Sequence, residues 1–101
     1  MQVSVRAYYT YEDKSCRLVK TVELKEPSSI TDLMKIIYEL TGLPTKTENA
    51  GWIDLFQEEI LMKNGQTIGY FKKTGLKFRH GEENKLKDGD EITIMNPIGG
   101  G

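Results

Sequence analysis

The sequence has few of the residues from which metal sites, disulfides and catalytic centres are usually built. Among 101 residues there is one cysteine, Cys16, and one histidine, His80. A single cysteine excludes an internal disulfide and the four-cysteine cluster of a ferredoxin, and one added histidine does not complete a usual zinc site. Cys16 lies in an alternating apolar stretch, which is typical of a small buried side chain, and His80 has the surroundings of a loop residue.

Long apolar runs and an excess of positive charge are also missing. Fourteen basic and fifteen acidic residues give a net charge of −1, which argues against a dedicated nucleic-acid or membrane-surface binder. No apolar stretch approaches the length of a membrane span, and the N-terminal residues lack a signal-peptide apolar region. We therefore expect a cytoplasmic protein with no membrane partner, no metal and no bound cofactor. The apolar fraction of 38% is enough to support one folded domain.

The first part of the chain alternates apolar and polar residues with period two, which predicts two β-strands joined by a polar turn at residues 12–15. Lys20 interrupts the apolar face of the second strand and therefore indicates an edge position. The polar face of the first strand consists of Gln2, Ser4 and Arg6.

The apolar spacing then changes to three and four residues, which predicts an amphipathic helix over residues 30–41. Ser29 is a suitable N-cap, and Asp32 completes an approximate capping box while also suiting the positive end of the helix dipole. Gly42 supplies a left-handed stop, and Pro44 prevents the helix from continuing.

The second half of the chain predicts shorter elements. Residues 45–51 predict a loop, and residues 52–56 fit either a short helical turn or a strand. A strand, a turn at Asn64 and Gly65 and a return strand follow, and residues 69–84 predict an irregular segment with one short strand at 76–78. Asp88 and Gly89 form a tight turn before a last strand over residues 91–95, which Pro97 stops.

This order of elements predicts an α+β protein with the β-grasp, or ubiquitin-like, arrangement. We expect a mixed sheet of about four to five strands with one main helix packed on one face. The first and last strands would lie side by side and parallel, and the polar residues of the first strand would lie on the open face. The folded domain would span residues 1–97, followed by a flexible glycine tail over residues 98–101.

The end of the chain, LKDGDEITIMNPIGGG, resembles the end of the ubiquitin-like sulfur carriers. Its DGD turn, apolar strand, Pro97 and terminal glycines are similar to those of the molybdopterin synthase small subunit, the thiamine sulfur carrier, the ubiquitin-related modifier and small archaeal modifier proteins. The stretch EPSSITDLMKIIYELTGLP resembles their capped helix, and ILMKNG resembles the strand and turn that follow. Three terminal glycines, in place of a small residue and two glycines, depart from the family pattern.

The resemblance implies a carrier protein and not an enzyme. A partner adenylyltransferase, similar to the ubiquitin-activating enzyme, would use ATP to join the Gly101 carboxylate to AMP. The acyl adenylate would then become a thiocarboxylate for molybdopterin (molybdenum cofactor) synthesis or a related sulfur transfer, and the molybdopterin synthase large subunit is a further candidate partner. Gly99 and Gly100 would thread into the partner's active site, because a backbone without side chains allows close approach. The expected partner contacts are Met95, Pro97 and Ile98.

Three other interpretations stay open on the sequence alone. The protein could be a modifier that is conjugated through Gly101 to lysines of target proteins. The mixed aromatic and basic segment at residues 70–79 is compatible with RNA binding, although a solvated basic loop over two core phenylalanines, Phe71 and Phe78, fits it better. The glycines could also be an expression scar, which the family-like residues before them argue against.

Overall fold

A computed structural model describes residues 1–44, 51–80 and 84–96 of the chain. The elements in order are β1 (Gln2–Tyr11), β2 (Lys14–Glu23), α1 (Ile30–Leu40), α2 (Gly51–Leu55), β3 (Ile60–Lys63), β4 (Gln66–Lys72), β5 (Gly75–Phe78) and β6 (Glu91–Met95). The strands form one mixed sheet in the order β2-β1-β6-β3-β4-β5.

The predicted hairpin and the predicted parallel pair are both confirmed. β1 and β2 are antiparallel and are joined by Glu12 and Asp13, whose φ angles of 49° and 63° give the left-handed two-residue turn that suits twisted strands. β6 lies parallel to β1, with Val5 opposite Ile92. β2 is an edge strand and Lys20 is exposed, as the interruption of its apolar face indicates.

Helix α1 begins at the predicted capping box. The Ser29 hydroxyl accepts a hydrogen bond of 3.1 Å from the Asp32 N–H, and the Asp32 carboxylate accepts one of 2.9 Å from the Ser29 N–H. These bonds to Ser29 hold the pKa of the Asp32 carboxyl below its usual value. The helix ends at Leu40, one residue before the predicted end, and Gly42 follows with φ at 73°, as predicted for a C-terminal stop.

The core lies between one face of the sheet and the two helices. The inward positions of β1 and β6 are buried, and so is the inner face of α1. Short helix α2 and the residue after it bring Trp52 and Phe56 onto this face. The Phe56 ring lies 5.8 Å from Tyr9 and 5.6 Å from Phe71, so an aromatic cluster fills the end of the sheet where β6 finishes.

Three structural predictions need correction. The described residues form six strands, not four to five, and Gly51, predicted as the last residue of the loop over 45–51, begins α2. For the segment that fitted either a short helical turn or a strand, the structure shows the helical form, over Gly51–Leu55. Residues 69–72 are not irregular, because β4 continues through them and pairs with β5. Gly69 permits this pairing, since a Cβ there would lie 2.7 Å from the Lys77 carbonyl oxygen. Residues 45–50 of the predicted loop, and residues 81–83 of the segment predicted to be irregular, lie outside the described residues.

Candidate functional site at the end of β6

The DGD turn fastens the start of β6 to the start of β1. The Asp88 carboxylate accepts a hydrogen bond of 2.7 Å from the Gln2 N–H, and the Gly89 N–H donates one of 2.8 Å to the Gln2 carbonyl. One residue later, the Ser4 N–H donates to the Asp90 carbonyl at 2.9 Å, which opens the parallel ladder between the two strands. The turn therefore sets the register of β6 against β1.

Asp90 is the one buried charged side chain among the described residues, and it fastens the same turn to the β3–β4 turn. Its carboxylate accepts hydrogen bonds from the Asn64 side-chain amide at 3.0 Å and from the Lys87 N–H at 2.8 Å. Asn64 completes the link by accepting a hydrogen bond of 2.8 Å from the Glu91 N–H. Because both oxygens of Asp90 are bonded, its burial is compensated. The direction in which β6 runs is thus fixed from both sides.

Of the predicted site residues, Met95 lies within the described part of the chain. It is the last residue of β6, is half-buried and lies on the open face, because the alternate residues Ile92 and Ile94 are buried against the helices. This agrees with the expectation that Met95 faces outward near the tail. The other predicted residues lie outside the described residues: Pro97, Ile98, Gly99, Gly100 and Gly101.

Met95 belongs to a line of side chains, here called the open-face row, to which each strand of the sheet contributes one residue. Cross-strand pairs join Arg17 to Tyr8, Met95 to Ile60, Ile60 to Tyr70 and Tyr70 to Lys77, and the β1–β6 register continued by one residue sets Tyr8 beside Met95. In sheet order the open-face row is Arg17, Tyr8, Met95, Ile60, Tyr70 and Lys77.

The open-face row has an apolar and aromatic middle with a cation at each end. Tyr8, Met95 and Ile60 are half-buried although neither α1 nor α2 covers them, and the Tyr70 side chain is 44% exposed. Adjacent strands lie about 4.8 Å apart, so the row extends across the sheet for roughly 24 Å. Such a strip, with aromatic and methionine side chains between charged ends, has the composition of a protein-docking surface. The predicted polar residues Ser4 and Arg6 are exposed on the same face.

At the same end of β6 the structure forms a cleft of about 240 Å³, here called the Glu59 cleft. Glu59 enters it because Glu58, with φ at 68°, turns the chain between α2 and β3. Cys16 lines the cleft opposite Tyr9, its cross-strand partner. The pKa of the Tyr9 hydroxyl is raised, mainly by burial and secondly by the nearby Cys16 thiol. The full lining is Tyr8, Tyr9, Thr10, Ser15, Cys16, Arg17, Glu59 and Asn96.

Glu59 is the one acidic residue in this lining, and its surroundings are unusual for a carboxyl group. Its Oε2 atom is buried, and no residue in the described part of the chain donates a hydrogen bond to it. Burial raises the pKa of the Glu59 carboxyl above its ordinary value, because desolvation disfavours the charged form. A buried polar atom without a partner costs stability, so the carboxyl group is suited to receive a donor from outside the described residues.

The residues that the sequence left as alternatives occupy ordinary positions. Cys16 is half-buried at the end of an edge strand, and its thiol lies 3.6 Å from the Lys14 carbonyl. His80 is exposed after β5. In the aromatic and basic segment, Phe71 is buried in the core and Phe78 packs against it, as the core interpretation predicts, and Tyr70 is the exposed aromatic side chain of that segment.

Residues 1–44, 51–80 and 84–96 contain no group of three or more His, Cys, Asp or Glu side chains that could hold a metal ion. Over the same ranges, no helix combines the length and the apolar character needed to cross a membrane.

Glu59 is the residue of the candidate site that sequence reasoning missed. The signal was present, since Glu59 precedes the buried Leu61 by two residues and so falls on the inward face of the predicted strand. An acidic residue at an inward position indicates either an error of register or a functional carboxyl group. No family model, curated protein or solved structure matches this chain.

Proposed function

We propose that this protein is a ubiquitin-like sulfur carrier of the β-grasp type, whose C-terminal glycine is activated by a partner and converted to a thiocarboxylate. The fold assignment is supported by the β1–β2 hairpin, by α1 on one face of the sheet and by the parallel pair of β1 and β6. The functional assignment is supported by the resemblance of the last sixteen residues to those carriers.

The observation that carries the proposal is the way β6 is held. The DGD turn is bonded to Gln2 on one side and to Asn64 on the other, so β6 has a fixed direction and ends at Met95. Met95 belongs to the open-face row, and Asn96, the residue after it, lines the Glu59 cleft. A carrier needs this combination, in which a rigid domain presents a narrow, side-chain-poor arm next to a surface that a partner can grip.

The chemistry proposed for Gly101 takes place in the partner. Its carboxylate attacks the α-phosphorus of ATP to give the acyl adenylate, with pyrophosphate as the leaving group. A sulfide donor then attacks the acyl carbon, the bond to AMP breaks, and the thiocarboxylate remains on Gly101. The five residues 97–101 span at most roughly 17 Å when extended, which is enough to enter a channel while the domain stays outside.

Intact-mass measurement tests the proposal. Incubation with ATP, sulfide and a cognate adenylyltransferase is expected to raise the mass of the protein by the difference between sulfur and oxygen. Deletion of Gly100 and Gly101 is expected to abolish this gain while the circular dichroism spectrum is retained, because the described core ends before them. A mass gain that survives the deletion would contradict the proposal.

The same incubation separates the carrier from the protein modifier. A modifier with the same activation chemistry would form an amide between Gly101 and a lysine of another protein, and the product would be a covalent conjugate. Conjugates in a lysate supplied with ATP, without a free thiocarboxylate, would favour the modifier. RNA binding is the more remote alternative, and a lack of RNA affinity at low salt would remove it.

A further inference from the structure

The Glu59 cleft lies where β6 ends, and its lining holds one carboxyl group, that of Glu59, and one cationic residue, Arg17, which forms no ion pair with Glu59. Glu59 and Asn96 come from neighbouring strand ends, and Cys16 and Tyr9 close the other side. Thr10 and Ser15 also line the cleft. The cleft can therefore surround a small polar group that donates several hydrogen bonds.

The environment of Glu59 indicates whether the group that binds in the cleft is neutral or cationic. Its buried Oε2 has no donor within residues 1–44, 51–80 and 84–96, and no cationic side chain in those ranges lies within ion-pair distance of its carboxylate. A neutral N–H donor would satisfy the oxygen but leave its charge buried. A cation satisfies both the hydrogen bond and the charge, and a charge-assisted bond is roughly twice as strong as a neutral one.

We propose that the Glu59 cleft binds the guanidinium group of an arginine side chain carried by the partner protein that takes up the C-terminal segment. A planar guanidinium group presents several N–H donors, which match the Glu59 carboxylate together with the Asn96 side chain and the Tyr9 hydroxyl around it. The cation site stands on the cleft itself, and only the identity of the protein that carries the arginine rests on the proposed function.

The position of the site gives it a specific consequence. An arginine bound at Glu59 and apolar groups bound along the open-face row would hold the sheet at two adjacent places beside the end of β6. The partner would then fix the point from which residues 97–101 extend. Positioning of this kind lowers the partner concentration at which the reaction is half-maximal, and it leaves the chemistry at Gly101 unchanged.

Methylguanidinium serves as the probe, titrated into the full chain and followed by amide NMR. We expect saturable shifts at Cys16, Glu59 and Asn96 in the native protein and in the control variant Glu58→Gln, which changes an exposed carboxylate next to the cleft. Glu59→Gln keeps the shape of the side chain and is expected to weaken the affinity at least about tenfold. The absence of saturable shifts, or equal affinity in Glu59→Gln, would overturn the proposal.

Two more variants keep the test decisive. Cys16→Tyr fills the cleft and leaves Glu59 in place, so it is expected to abolish probe binding even if Glu59→Gln proves too unstable to study. A chain that ends at Asn96 is expected to bind the probe with unchanged affinity. A tenfold gain on this truncation would mean that the chain's own C-terminal segment occupies the cleft, and would refute the arginine site.

The partner is tested separately. If the proposed function is correct, Glu59→Gln raises the adenylyltransferase concentration needed for half-maximal mass gain about tenfold and leaves the gain at saturation unchanged. An unchanged half-maximal concentration would refute the partner arginine. If the native protein shows no mass gain, the proposed function fails, while the probe titration still decides whether the cation site exists.

Discussion

At the scale of single residues, the position of Glu59 gives the protein a carboxyl group that costs stability. Its pKa is raised by burial, so the folded state binds a proton at Glu59 more tightly than the unfolded state does. The stabilising contribution of the protonated form is complete below the ordinary pKa of 4.5 and is lost as the pH rises through the higher folded-state pKa. At neutral pH the charged form of Glu59 therefore lowers the stability of the folded state, and such a cost is common at binding sites.

Glu59→Gln is therefore expected to raise the melting temperature at pH 7 and to change it little near pH 4, where the native carboxyl group is already protonated. Thermal unfolding of both proteins between pH 4 and pH 8 measures this. Glu58→Gln is the control, since Glu58 is exposed and its replacement should give no such divergence with pH. A lower melting temperature for Glu59→Gln at pH 7 would mean that the carboxylate already has a compensating partner within the chain.

At the scale of elements, the link between the DGD turn and the β3–β4 turn decides where β6 lies. Asp90 and Asn64 are separated in the chain by β4, β5 and the segment after β5, yet they share one hydrogen bond and each binds the other's turn. A pair of this kind acts as one unit, because removing either member leaves the other without its partner.

Asn64→Ala and Asp90→Ala are each expected to cost about 1–3 kcal/mol of unfolding free energy. The double variant is expected to cost less than the sum of the two by at least about 0.5 kcal/mol, because each single change already breaks the link. Urea unfolding of the four proteins gives these values. Strict additivity of the two costs would show that the residues stabilise the two turns independently.

The pairing of β4 with β5 depends on Gly69, because the two strands approach too closely there for a side chain. Gly69→Ala would place a Cβ 2.7 Å from the Lys77 carbonyl oxygen, so the two strands must separate. We expect a loss of about 1–3 kcal/mol and faster amide hydrogen exchange in β5. Thr67→Ala, on the same strand, is the control and should affect β5 exchange less. Unchanged exchange in β5 after Gly69→Ala would contradict this account.

At the scale of the whole molecule, the two faces of the sheet have different tasks. One face is covered by the helices and supplies the core, while the other carries the open-face row and is not covered by any described helix. The net charge of −1 does not reveal the cations at the two ends of the row, because acidic residues elsewhere in the chain balance them. Docking through the row should therefore depend on local charge and on salt, although the protein is nearly neutral.

Lys77→Glu is expected to change the stability by no more than about 0.5 kcal/mol, since Lys77 is exposed on an edge strand. In the sulfur-transfer assay it is expected to raise the partner concentration for half-maximal mass gain about 3–10-fold at low salt, with a smaller effect at high salt. Lys35→Glu reverses an exposed charge on α1, away from the row, and should have little effect. Equal effects of the two reversals would exclude the open face as the docking surface.

The sequence alone determined the features that depend on near neighbours. The Ser29–Asp32 capping box, the Asn64–Gly65 turn and the DGD turn are made by groups a few residues apart, so their residue types were enough to predict them. The alternation in β1 and β2 and the helical spacing of α1 predicted most of the buried side chains, because one face of each element must leave water. Leu40 is an exception, since it lies on the apolar side of the helical spacing but is exposed at the end of α1. The helix at residues 51–55 stayed undecided between two forms, since five residues are too short for a period to show.

Only the tertiary structure decided which distant residues meet. β4 could not be recognised past Ile68 because its edge partner β5 supplies the hydrogen bonds that keep Tyr70 and Lys72 extended. The open-face row takes one residue from each of six strands, and the Glu59 cleft joins Cys16, Glu59 and Asn96 from three separate parts of the chain. These groupings follow from strand order and register, which are set by the packing of the whole sheet on its helices and leave no local pattern in the sequence.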